Sequence, residues 1–192
     1  MGKMTEFENR LKVLTEEFEA YKKAKQAPEI GETREIAGMK WIILDKLPEG
    51  YLAYAEEPIK TAKFGENNDW RESPIRDSLK KFSETICAEI GVELPEFERG
   101  LISLDGQTEY GSCMDKVSVI TVDEYRKYRK YIPNGDAHTW TCTPWSTKCN
   151  NDEIWVAVVF PSGDFVRGDC GSHDGVRPIC IFPSEIFESE DE

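Results

Sequence analysis

Residues 154–182, IWVAVVFPSGDFVRGDCGSHDGVRPICIF, decide how this chain folds. Ile154, Val156, Val158 and Phe160 alternate with Trp155, Ala157 and Val159, so both faces of an extended segment are apolar. That pattern predicts a strand buried on both sides and interior to its sheet. Pro161, Ser162 and Gly163 follow. Proline presets φ and glycine accepts positive φ, so the chain is expected to reverse there into a second strand at Asp164–Arg167. A glycine-rich loop leads to Gly175-Val176-Arg177-Pro178, and Ile179–Phe182 reads as the closing strand.

Outward from this segment, the chain alternates between two periodicities. Lys40–Asp45 and Tyr51–Ala55 read as strands joined by a turn at Pro48-Glu49-Gly50. Ser73-Pro74 combines an N-cap residue with proline at the first helical position. Ile75, Leu79, Phe82, Ile86 and Ile90 then form one apolar stripe, with Gly91 as the stop. Thr121-Val-Asp-Glu124 matches a capping box and predicts a second helix over about residues 122–131. Strands, two helices and further strands define an α+β domain over 38–184. Residues 28–37 read as a linker or an irregular entry strand, and 185–192 as an acidic, solvated tail.

Residues 1–27 have their own pattern. Met4, Phe7, Leu11, Leu14, Phe18 and Tyr21 recur at alternating steps of three and four among charged neighbours, which is a heptad seam. Such a seam predicts a homo-oligomer through residues 4–21. An amphipathic helix folded back on its own domain has the same pattern.

The 192 residues include 24 Lys and Arg against 37 Asp and Glu, a formal charge of −13. Direct nucleic-acid binding is not expected, because phosphate contacts need clustered cations. The acidity serves solubility or mimics a nucleic acid toward a basic partner. No apolar run is long enough to span a membrane and no secretory signal opens the chain, so cytoplasmic synthesis is expected. The six cysteines, Cys87, Cys113, Cys142, Cys149, Cys170 and Cys180, are expected to be mostly buried free thiols. Cys142 with Cys149, or Cys170 with Cys180, are the pairings that sequence proximity permits.

Three blocks resemble an uncharacterised domain family of phages, prophages and gut bacteria. They are Trp70-Arg-Glu-Ser73-Pro-Ile75-Arg76-Asp77-Ser78-Leu79 with Phe82, Asp115–Ile120 followed by Glu124-Tyr125, and Trp140–Pro144 joined to Gly175-Val176-Arg177-Pro178. The resemblance covers roughly residues 38–183. It implies a C-type-lectin-like fold related to that of the formylglycine-generating enzymes, with two helices packed on small antiparallel sheets and long loops on one side. It also implies Trp70 and Trp140 as core fillers, Arg76 as a bidentate loop anchor and Gly175 as a residue of unusual backbone conformation.

The same resemblance places recognition in the loops Thr143–Asp152 and Gly168–Asp174. Candidate ligand-binding residues there are Trp145, Asn150, Asn151, Asp152, Arg167, Asp169, His173 and Asp174, which mix aromatic, amide and charged groups. No cofactor is expected and no catalytic residue is assigned. Asn150-Asn151-Asp152 offers oxygen ligands of the kind calcium takes, and Cys170 with His173 offers a thiol and an imidazole, but nothing in the sequence orients that base. The expected function is therefore a non-enzymatic phage or prophage module, virion-associated, that binds a protein or glycan on a host surface or another virion protein. The alternatives are a small acidic inhibitor from a mobile element and, behind it, a cysteine-dependent oxidoreductase.

Overall fold

The computed structural model describes residues 6, 9–18 and 26–187. It is a mixed α+β fold with helices and small sheets. Residues 9–18 are helical, and Leu11, Leu14 and Phe18 on the heptad seam are 55%, 61% and 56% exposed. Met4, Phe7 and Tyr21 of that seam lie outside the described residues.

The first sheet is built from β1 (Thr33–Ile36), β2 (Met39–Leu47), β3 (Gly50–Ala55), β7 (Val117–Val119) and β12 (Pro178–Phe182), in the order β1-β2-β3-β12-β7. All its pairings are antiparallel. Residues 33–36, in the segment read as linker or entry strand, are thus a paired edge strand of the domain. Period-two alternation sends Trp41, Ile43, Ala53, Cys180 and Phe182 to one core, and Ile42, Leu44, Leu52, Tyr54, Ile179 and Ile181 to a second on the opposite face. A sheet covered on both sides explains why β3 and β12 are buried along their whole length.

The second sheet runs β10-β9-β8-β11-β4, from β4 (Lys60–Lys63), β8 (Thr139–Pro144), β9 (Trp155–Val159), β10 (Phe165–Asp169) and β11 (His173–Val176). The predicted strand and hairpin are both present. β9 lies between β8 and β10, Val156–Val159 are fully or nearly buried, and the turn closes with Phe160 N–H donating to Asp164 O at 2.8 Å. Gly163 takes φ +90° there, where a Cβ would sit 2.4 Å from the Arg129 guanidinium. The ends differ from expectation. Ile154 is 46% and Phe160 40% exposed because the ladder stops one residue short of each. A third, two-stranded sheet pairs β5 (Phe97–Gly100) with β6 (Ser112–Asp115).

Helix α1 (Pro74–Ile90) is the Ser73-capped helix, and its Gly91 stop has φ 72°. Ile75, Leu79 and Ile86 enter the first core, beside Trp70 and Trp140, both with no exposed surface. Helix α2 (Val122–Tyr128) carries the capping box with both reciprocal bonds, yet ends three residues before the predicted 131. Its Tyr125 and Tyr128 cover the second core. The continuation turns away through Tyr131 N–H to Tyr128 O and Ile132 N–H to Arg129 O, three-residue bonds that tighten the chain toward Pro133. At the C-terminal end, Ser184–Phe187 forms a 3-10 turn and Phe187 is buried against Tyr51 with ring centroids 5.2 Å apart, so residues 185–187 of the expected solvated tail are packed on the domain, and 188–192 lie outside the described residues.

Two of the structural roles implied by resemblance take a different form. Arg76 reaches Asp115 Oδ1 through Nε at 2.7 Å and the Met114 carbonyl through Nη2 at 3.2 Å, so it clasps two successive residues and not one carboxylate. Gly175 has ordinary strand backbone. It is needed for space, since a Cβ would meet the His138 carbonyl at 2.9 Å and the Pro58 ring at 3.0 Å.

Candidate functional site

The irregular register between β8 and β9 opens the segment after Pro144. Thr139 and Trp140 pair with Val159 and Val158, but the next partner of Val156 is Pro144, so the chain bulges at 141–143. The bulged residues are held by Thr141 Oγ1 donating to Ala157 O at 2.6 Å and Thr143 Oγ1 accepting from Val122 N–H at 3.0 Å. Cys142 N–H donates to Ile120 O. A rigid platform therefore precedes the loop 145–152.

One buried side chain fixes that loop. Asn68 has no exposed surface, and its Nδ2 donates to the carbonyls of Ser146 and Trp155 at 2.9 Å and of Asp152 at 3.2 Å. Its Oδ1 accepts from Tyr110 Oη at 2.8 Å. A second cluster lies at Asp105, whose Oδ2 accepts from Gln107 Nε2, Ser146 Oγ and Asn150 Nδ2. These donors hold the Asp105 carboxyl below its ordinary range, Ser103 first among them. Asn68 and Asp105 were not singled out from the sequence. Both stand in polar turn stretches, and their bonds to Ser146, Asn150, Asp152 and Trp155 reach about 40 to 90 residues along the chain, which no local pattern reveals.

On this base, Trp145 and Trp155 are joined by a backbone bond, Trp145 N–H to Trp155 O at 2.9 Å. The Arg167 guanidinium from β10 lies 5.7 Å from the Trp145 ring and 5.3 Å from the Trp155 ring. Both rings are half-buried and Arg167 is exposed, so the stack offers one aromatic-cationic face to solvent. Asp169 is Trp155's register partner and is exposed. Its Oδ1 accepts from Gly171 N–H at 2.8 Å and shapes the following turn.

The eight candidates thus fall into two groups. Trp145, Asn150, Asn151, Asp152, Arg167 and Asp169 belong to one connected surface. Asn151 serves it through its backbone, as a left-handed stop at φ 52°. His173 and Asp174 lie elsewhere, on β11 beside β4, and Asp174 faces His138 with Oδ1 3.7 Å from Nδ1. Burial raises the Asp174 carboxyl, opposed by the two histidines. No hydrogen bond or ion pair among the described residues joins these two side chains to the 145–152 loop.

The thiols show little readiness for attack. Burial and Asp169 push Cys170 up to about 12, while His173 is exposed on the adjoining strand. Burial raises Cys142 and Cys180 as well. All six cysteines are free, with Cys149 exposed, so neither loop clasp forms. Asn150 commits its amide to Asp105, and among the described residues no three His, Cys, Asp or Glu side chains converge as a metal site. No helix of the described residues is long and apolar enough to cross a membrane.

Comparison of the chain with family models, with curated proteins and with solved structures finds no match in any of the three.

Proposed function

We propose that this chain is a recognition module of phage or prophage origin, with a C-type-lectin-like domain that presents the 145–152 loop and β10 to a protein or glycan. The observation that carries this reading is the Trp145–Arg167–Trp155 stack on a loop fixed by Asn68. Tryptophan and arginine dominate interface energetics, and a loop with its backbone already bonded loses little entropy on binding. Two helices against small sheets that are antiparallel except for the β8–β11 pairing, with long loops, support the lectin-like assignment. The exposed Leu11, Leu14 and Phe18 support a helix that joins copies of the chain and multiplies weak contacts.

The reading is tested with fluorescently labelled full-length protein against gut-bacterial cells and an array of bacterial surface glycans. Binding that falls about tenfold or more in Trp155→Ala and in Arg167→Ala, with unchanged circular dichroism, is the expected result. Binding that is unchanged in both variants, or no binding to any cell or glycan, overturns it.

A further inference from the structure

Strand β10 ends its sheet, with β9 on one side and no strand on the other. Phe160 N–H donates to Asp164 O and Cys170 N–H to Ile154 O, one residue beyond each end of the ladder. Bonded and unbonded residues alternate in an antiparallel pair, so Val166 and Gly168 also turn their backbone groups to β9. Phe165, Arg167 and Asp169 therefore turn theirs outward. Asp169 O accepts from Ser172 N–H at 2.8 Å. Among the described residues no turn, loop or side chain bonds the N–H of Phe165, Arg167 or Asp169, or the carbonyls of Phe165 and Arg167. None of the five residues of β10 is buried, so this edge is open to solvent.

Open edges are normally blunted by lysine, proline, a bulge or a covering element. The opposite end of the sheet, β4, has exposed Lys60 and Lys63. β10 has no lysine, no proline and an unbroken register with β9. Its one cation, Arg167, lies against the Trp145 and Trp155 rings. Period-two alternation puts Phe165, Arg167 and Asp169 on the face that carries Trp155. A strand added here would thus lie beside the recognition surface already described.

Charge decides between occupants. In a second copy of β10, the antiparallel register that overlaps all five residues sets Arg167 opposite Arg167, and like charges directly opposite are destabilising. A slide of two residues either way leaves only three residues overlapped. A different chain with an acid at that place has neither fault. Asp164 and Asp169 stand at the two ends of the edge, while Arg167 is central and the Arg126 guanidinium lies 5.4 Å from the Phe165 ring, so the acid belongs at the middle of the added strand.

We propose that β10 takes up an extended segment of the partner as an added strand, with an Asp or Glu of that segment opposite Arg167. Main-chain bonds to Phe165, Arg167 and Asp169 supply affinity, and the tryptophan–arginine face supplies selectivity. The proposal rests on the recognition reading above and narrows its partner from a protein or glycan to a protein segment.

The test uses the full chain and a phage-displayed library of random dodecapeptides. Selected peptides should carry an acid among β-branched residues. In synthetic copies, N-methylation of alternate amides should weaken binding about tenfold or more and methylation of the intervening amides should not, the period-two signature of a strand. Arg167→Glu should cost a similar factor, and this exposed side chain can change without disturbing the fold. In the free protein, amide exchange should be fast at Phe165 and Arg167 and slow at Val166 and Gly168, and peptide should slow the first pair. Failure to select any peptide overturns the proposal, as do peptides without the alternating methyl effect. Slow exchange at Phe165 and Arg167 in a dimer without peptide also overturns it, because a second copy then fills the edge. Trp155-dependent binding to cells or glycans with no peptide selected would remove strand addition alone and leave the recognition surface standing.

Discussion

Arg99 and Arg177 are both buried arginines in one small domain, and they are answered in opposite ways. Arg99, 1% exposed, gives Nη1 and Nη2 to the two Glu124 oxygens at 2.6 and 2.5 Å and a further bond to Val119 O at 3.0 Å. Arg177 has one backbone carbonyl and a ring. The same side chain thus serves as half of an ion pair at one site and as a lone cation at the other. Loss of a partner should be costly only where a partner exists.

The largest effect is therefore expected from Glu124→Ala. It strands the Arg99 charge and removes the capping-box carboxylate, whose Oε2 accepts from Thr121 N–H at 2.8 Å. We expect a loss of about 4 kcal/mol, read as a lower urea midpoint at unchanged slope. Replacement of both partners, as Arg99→Met with Glu124→Leu, should recover part of it, because no buried charge then remains unpaired. Equal losses in the single and double variants would show that the cap, and not the ion pair, carries the energy.

Asn68→Ala ranks next, at about 3 kcal/mol, because it leaves the Ser146 and Asp152 carbonyls and the Tyr110 hydroxyl without their partner, while Trp155 O keeps only its bond from Trp145 N–H. Unlike Glu124→Ala, it should also weaken any ligand that binds the Trp145–Trp155 surface, by loss of a pre-set loop.

These two positions also show what the sequence makes legible. Thr121 and Glu124 are separated by three residues, so the cap is visible locally. Arg99 is not visible as its partner, since Phe97–Gly100 reads as a short polar edge and its burial depends on β5, β6 and α2 meeting. The strands around Ile154–Phe182 and helix α1 follow from periodicity and turn chemistry, whereas the burial of Trp70 and Trp140 was implied by the family resemblance. The eight candidate residues were chosen as residue types, and six of them share one surface. His173 and Asp174 separate from them because four residues after Asp169 the chain has crossed to pair with β4. Loop position in sequence gave no sign of that.

The two arginines also differ in acid. Coulombic attraction to Arg99 and the hydrogen bonds at Glu124 overcome burial and hold its carboxyl below the ordinary 4.5. A depressed carboxyl stabilises the fold fully above its unfolded value. That contribution is lost as pH falls through the folded one, so stability should drop steadily below about pH 4.5. Glu124→Gln should flatten this part of a melting-temperature profile, whereas Arg177→Met should leave its shape unchanged. A profile equally steep in Glu124→Gln would assign acid sensitivity to other carboxylates such as Asp45, which is lowered by Tyr128.

The smallest effect is expected from Tyr54→Phe. The buried Tyr54 hydroxyl closes no hydrogen bond of good geometry and has only loose contacts with Thr139 and Arg177, so its removal discards a desolvated group at little loss, and the change should lie within about 0.5 kcal/mol of zero. The ring remains to face Arg177 and to fill the second core. A loss of more than about 1.5 kcal/mol would mean that the hydroxyl is bonded in solution, to Thr139, Arg177 or a trapped water, and that the two buried arginines differ less than their geometry implies.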